Sequence, residues 1–114
     1  MTRELDTLYK LRELFSDSNR WCRKKYAINV EGEEVHPISS KAVSWCTIGA
    51  VEKCAFNKST TIDEVTYLLK RTCYRIYENK DLSYVNDNLG LDAVKRVIEE
   101  TITEREKHES IELG

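Results

Sequence analysis

The sequence predicts an α+β fold that is mainly α: a compact bundle of about four helices, with a short β-hairpin or extended arm between the first and second. Three observations carry this reading. Apolar residues recur at three- and four-residue spacing in four separated stretches, as amphipathic helices require. One stretch around Tyr26–Val30 alternates with period two beside a glycine-containing turn, as strands do. The chain has 114 residues with 40% hydrophobic content, enough for one core and not two. Residues 1–104 are therefore read as a single globular domain. Residues 105–114, with little left to bury, are read as a frayed C-terminal tail.

Each element follows from its residues. Leu5, Leu8, Leu11 and Phe15 form the stripe of a first helix over about Arg3–Phe15. Ser16-Asp17-Ser18-Asn19 stops it, because these side chains compete for backbone hydrogen bonds. Tyr26, Ile28 and Val30 alternate with Ala27 and Asn29, Glu31-Gly32 supplies a turn, and Val35 and Ile38 form the returning strand. Pro37 ends that strand, since it cannot donate to a ladder. Ser39 or Ser40 caps a second helix reaching about Phe56. Its stripe of small residues, Ala42, Val43, Cys46, Gly49, Ala50 and Cys54, lets another backbone come close. Trp45, Ile48 and Val51 add a second apolar flank, which makes it a buried, central helix. Thr61-Ile62-Asp63-Glu64 reads as a capping box opening a third helix, with Val65, Leu68, Leu69, Cys73 and Ile76 on one face to about Tyr77. A linking segment, Leu82–Gly90, precedes a last helix carrying Leu91, Val94, Val97, Ile98 and Ile102. Asn88 is placed to cap it.

Lys plus Arg number 18 and Asp plus Glu 20, a net charge of −2. No strong positive field holds such a chain on nucleic acid or an acidic membrane. No stretch approaches the roughly 18 apolar residues of a membrane span, and Met1-Thr2-Arg3-Glu4-Leu5-Asp6 alternates charges where a signal peptide needs an apolar run. A cytoplasmic location follows as the expectation. The cysteines, Cys22, Cys46, Cys54 and Cys73, lack the C-x-x-C spacing of metal sites and are read as structural thiols. No metal and no cofactor is expected.

The densest chemistry lies at Arg20-Trp21-Cys22-Arg23-Lys24-Lys25-Tyr26, where cations and aromatics interleave. Such a segment grips phosphates and stacks on bases, or keeps its cations in solvent while its aromatics enter the core. Lys70, Arg71 and Arg75 extend this patch only if the two surfaces adjoin. Asn86-Asp87 lies between helices, where function concentrates. Cys46 falls nearly two turns inside the expected second helix, beyond the reach of its dipole, so an activated thiolate needs a base. His36 is the one available, giving Cys46–His36–Asp87 as the catalytic alternative. No nucleophile elbow, zinc-binding H-E-x-x-H or phosphate loop is present.

Trp21, the Ala27-Ile28-Asn29-Val30-Glu31-Gly32 turn, Trp45-Cys46-Thr47-Ile48-Gly49-Ala50 and Asn86-Asp87 ahead of a closing helix occur in a distinctive order. In this order the chain resembles a family of small bacterial and bacteriophage proteins whose domain has no assigned function. That family's pattern is W…A-x-(D/N)-x-x-G…(W/F)-C-x-x-G-A…N-D. The likeness spans about residues 5–102. It departs in the basic Arg23-Lys24-Lys25 segment and in a short loop after Cys54. The resemblance implies a single domain in a phage or mobile-element setting, and it assigns no reaction. It puts weight on Trp21, Cys46, Gly49 and Ala50 as framework, and on Asn86 and Asp87 as a site.

The sequence reading is thus a non-enzymatic interaction protein that binds an unidentified host or phage protein and modulates a host complex such as a defence system. Arg20, Arg23, Lys24, Lys25, Tyr26, Asn86 and Asp87 form its expected contact surface. The alternatives are a small-ligand or catalytic pocket around Cys46 and Asp87, and nucleic-acid binding through Arg20–Tyr26. No membrane partner is expected. The wide apolar girth of the second helix leaves room for an oligomer face.

Overall fold

The structure, a computed structural model, describes residues 3–113. Helix α1 (Arg3–Leu14) lies against both α5 (Leu91–Leu113) and α3 (Ser59–Ile76), and α3 packs along α5. The stripes read from the sequence are the ones that meet. Leu5, Leu8, Leu11 and Phe15 of the first segment, Val65, Leu69 and Cys73 of α3, and Val94, Val97, Ile98 and Ile102 of α5 are all buried in one cluster. Burying a side chain of this size contributes roughly 1.5–3 kcal/mol, so this three-helix contact is the main source of stability. Ion pairs on its rim, Arg12–Glu99 at 3.5 Å and Arg71–Glu104 at 2.9 Å, are half exposed and add little. No described helix is long and apolar enough to cross a membrane.

Helix α5 continues to Leu113 instead of ending near Glu104. Nothing after Glu104 breaks a helix, and the residues there have good intrinsic propensity. The extension is also held from outside: the Tyr9 hydroxyl donates to a Glu106 carboxylate oxygen at 2.6 Å. Gly114 lies outside the described residues.

Several local expectations are corrected. The second helix starts at Thr47, not at Ser40: α2 spans Thr47–Cys54. Ser44–Trp45 is instead strand β2, antiparallel to β1 (Ala27–Ile28), with Ala27 opposite Trp45 and Ile28 opposite Ser44. The Val43 N–H extends the pairing to the Ile28 carbonyl at 2.8 Å. Trp45 is pinned in this extended form because its indole N–H donates to the buried Pro37 carbonyl at 2.8 Å. The run of small residues is continuous across a strand-to-helix junction, which is why it reads as one long helix.

The hairpin partner also differs. The turn forms as expected, with Gly32 at φ 81° and the Asn29 side chain accepting from the Glu31 and Glu33 N–H groups at 3.0 Å each. Beyond it only the bridge Ile28–Glu34 forms, with Val35 N–H reaching the Ala27 carbonyl. The strand that pairs with β1 is Ser44–Trp45 rather than Val35–Ile38. The third correction concerns the capping box. Helix α3 begins at Ser59 after Lys58, and the Thr61 hydroxyl is buried without a partner. Phe56 and Asn57, at φ 52° and 58°, reverse the chain so sharply that the helix opens before Thr61.

The expected link between α3 and α5 is itself helical. A single turn, α4 (Leu82–Tyr84), runs into a wide π-type turn over Val85–Leu89, and Leu82 and Val85 are fully buried. Asn88 does not cap α5; its amide nitrogen donates to the Tyr84 carbonyl at 3.3 Å.

Gly49 marks the closest approach of arm and bundle. A Cβ at this position overlaps the Tyr26 carbonyl oxygen, and backbone cannot move aside as a side-chain tip does. Gly49→Ala is expected to cost about 1–3 kcal/mol or more in a denaturant melt. Gly32→Ala meets open space but a left-handed backbone and is expected to cost about 1 kcal/mol. Equal melting of the two variants would contradict the close approach.

Candidate functional site

The site grows from the start of α2. Cys46 is its N-cap, with φ −75° and ψ 172°, and its Sγ accepts from the Gly49 N–H at 3.4 Å. Cys46 therefore stands at the positive end of a helix, not two turns inside one. A thiol is an unusual cap, and no preference of residue type announces it.

The neighbouring amide, Thr47 N–H, is satisfied from across the molecule. Asn86, 2% exposed, turns its Oδ1 toward three donors: Thr47 N at 2.9 Å, Thr47 Oγ1 at 2.7 Å and Trp21 Nε1 at 2.8 Å. Its Nδ2 donates to the Cys22 carbonyl at 3.1 Å and to Asp87 Oδ1 at 3.0 Å. All donors lie on one side and all acceptors on the other, so the amide has a single allowed orientation. The wide turn over Val85–Leu89 is what carries Asn86 inward.

Asp87 holds the basic segment. The Lys24 N–H donates to Asp87 Oδ1 at 2.9 Å, and Arg23 donates to the Asp87 carbonyl at 2.6 Å. Lys24 adopts φ 67° to do so. The Arg23 guanidinium also stacks over the Trp21 ring, 5.0 Å from its centroid. Between these segments lies an open cleft of ≈ 200 Å³. Lys24, Lys25 and Tyr26 form one wall, Cys46, Thr47 and Ile48 the floor, and Leu82, Ser83, Asn86 and Asp87 the far side.

Most of the expected site residues thus converge. Arg23, Lys24, Lys25, Tyr26, Asn86 and Asp87 share one face with Cys46, and Trp21 and Gly49 lie directly behind it. Arg20 does not join them. It pairs with Asp17 at 3.8 Å and lines a separate groove with Lys10, Lys53 and Phe56. Arg71 and Arg75 face Glu104 and Glu100 of α5 and do not extend the basic rim. His36 is exposed, its Nδ1 accepts from the Ile38 N–H at 3.2 Å, and it does not line the cleft. Thr47 and Leu82 were not legible as site residues; their place depends on where two distant turns meet.

Burial governs the thiols. It pushes Cys46 upward, against the opposing pull of the Gly49 and Ile48 N–H groups. It raises Cys22 to about 11, with further contributions from the charges of Cys46, Asp87 and Glu34. Cys54 and Cys73 rise to about 11 and about 12, again through burial. All four are thiols near neutral pH, and the helix start does not activate Cys46.

Asn86→Ala leaves Trp21 Nε1 and both Thr47 donors unpaired, and at roughly 1–3 kcal/mol per orphaned group is expected to cost about 3 kcal/mol or more. Asn86→Asp keeps the acceptor but sets a second carboxylate against Asp87, so it melts below wild type as well. A melt within experimental error of wild type for both variants would dismiss the hub. For the thiols, maleimide labelling at pH 7 is expected to be slow, with Cys22 first and its rate rising about tenfold per pH unit toward 11. Their folded values lie above the ordinary 9.0, so unfolded thiols ionise first. Stability is therefore full below pH 9 and declines as pH rises from about 9 to 12, which alkaline melts check. In comparisons with known proteins, no family model, no curated protein and no solved structure matches this chain.

Proposed function

We propose that the chain is a small non-enzymatic interaction protein that binds another protein through the rim formed by Arg23, Lys24, Lys25, Tyr26 and Asp87. One observation carries the reading. Segments 63 to 65 positions apart are bonded to each other through Asn86 and Asp87, so the cationic-aromatic rim is held in one geometry before any partner arrives. A pre-ordered surface avoids the ordering cost that weakens binding by mobile segments. Tyr26 is 53% exposed on this rim, and tyrosine and arginine are the residue types enriched at protein interfaces. On the β arm that carries Tyr26, Val30 is 81% exposed and Ile38 and Val43 are also open to solvent. Exposed apolar side chains beside a fixed polar rim suit a protein partner better than a phosphate backbone.

The partner in this reading is a host complex, such as a defence system, that a bacteriophage or mobile-element product modulates or inhibits. The order of the Trp21, Ala27–Gly32, Trp45–Ala50 and Asn86-Asp87 motifs supports that setting.

The test uses the Lys24→Glu, Lys25→Glu double variant. Neither lysine is buried, whereas Arg23 is part of the fold through Asp87 and is left alone. Wild type and variant are compared for melting temperature and for capture of partners from the source organism's lysate. A stoichiometric protein retained by wild type and lost by an equally stable variant is the expected result. Equal capture by both removes the rim from the reading. An interaction with oligonucleotides that falls steeply with salt would replace the protein partner with nucleic acid.

A further inference from the structure

We propose that Cys22 and Cys46 are a paired modification site that closes to a disulfide by exchange with a small-molecule disulfide. The register places them together. Trp21 and Trp45 form a parallel bridge, and the Cys22 N–H donates to the Trp45 carbonyl at 3.0 Å. The next position on each segment is a cysteine. Both flanks are extended, Trp21 at φ −110°, ψ 141° and Cys46 at φ −75°, ψ 172°. Matching positions of a parallel pair send their side chains to the same side, and adjacent strands lie about 4.8 Å apart. A disulfide spans α-carbons roughly 4.4–6.8 Å apart. The charge on Cys46 also contributes to the raised value of Cys22. Cys54 and Cys73, on α2 and α3, have no such bridge.

The step balances. Cys22 is the more accessible of the two, so its thiolate attacks one sulfur of a disulfide such as oxidised glutathione. A mixed disulfide forms and one thiolate leaves. Cys46, after losing its proton, attacks the Cys22 sulfur, the second thiol leaves, and the protein holds Cys22–Cys46. Two protein thiols are oxidised and one small disulfide is reduced to two thiols. Burial slows both attacks at neutral pH without altering the equilibrium that the register favours. The bond would tie the loop bearing the cationic rim to the start of α2. That consequence is independent of what the rim binds.

The experiment equilibrates the intact chain in glutathione redox buffers, quenches with acid, and reads intact mass and peptide maps. The expected result is the loss of two hydrogens from the folded protein, with Cys22 joined to Cys46 and a raised melting temperature. Cys54→Ser and Cys73→Ser leave that link in place. Cys22→Ser removes it, and Cys46→Ser, which keeps a good helix cap, removes it without unfolding the chain. Three results overturn the proposal: a folded protein that stays fully reduced in oxidised glutathione, a glutathione adduct on Cys22 that never resolves, or a link involving Cys54 or Cys73. The wild-type map decides among these even if a variant fails to fold.

Discussion

The side-chain amide of Asn86 is the contact on which the arrangement of the arm depends. One oxygen receives the indole N–H of Trp21 and both donors of Thr47, and the nitrogen of the same amide binds the Cys22 carbonyl. Those partners belong to two separate parts of the chain, the basic segment and the start of α2, and Asn86 itself sits on a third, the wide turn before α5. In a buried setting each of these groups is costly if unpaired. A single amide satisfies them together, so none of the three segments shifts without orphaning a donor in another. Asp87 extends the tie to Arg23 and Lys24, which turns a loop into a fixed surface.

The helical bundle supplies stability and the arm supplies specificity of shape. The α1–α3–α5 core is apolar, and Ala27 and Trp45 of the arm are buried in the same cluster. The arm has only short strands, and its geometry comes from particular bonds: the Pro37 carbonyl on Trp45, the Tyr26 carbonyl against Gly49, and Cys46 as cap of α2. The cleft lies where these two regimes meet. Its polar groups are mostly engaged within the protein, and its thiol is held protonated by burial. The outward-facing parts are Lys24, Lys25 and Tyr26.

Legibility in the sequence tracked the type of force involved. The helices of the core follow from the periodic stripes of Leu5–Phe15, Val65–Cys73 and Val94–Ile102, because burial of apolar area depends on spacing alone. The Ala42–Cys54 stretch was misleading. Its small residues suit either a close-packed helix or a strand beside one, and periodicity does not separate the two. Asn86 and Asp87 stood out as polar residues between helices, and their convergence with Arg23–Tyr26 is real. Arg20 and His36 also stood out, but Arg20 turns to another groove and His36 stays in its own loop.

By itself the sequence determined a mainly helical single core, the Glu31-Gly32 turn, and the cations, aromatics and amides on which the polar face draws. These are consequences of hydrophobic spacing and local backbone chemistry, which act over a few residues. Only the tertiary structure decided that β1 pairs with Ser44–Trp45, that Cys46 begins a helix, and that Cys22 lies beside it. Those outcomes rest on hydrogen bonds between residues far apart in the chain. Such bonds form where burial leaves a donor no other acceptor, and which acceptor that is depends on the folded shape.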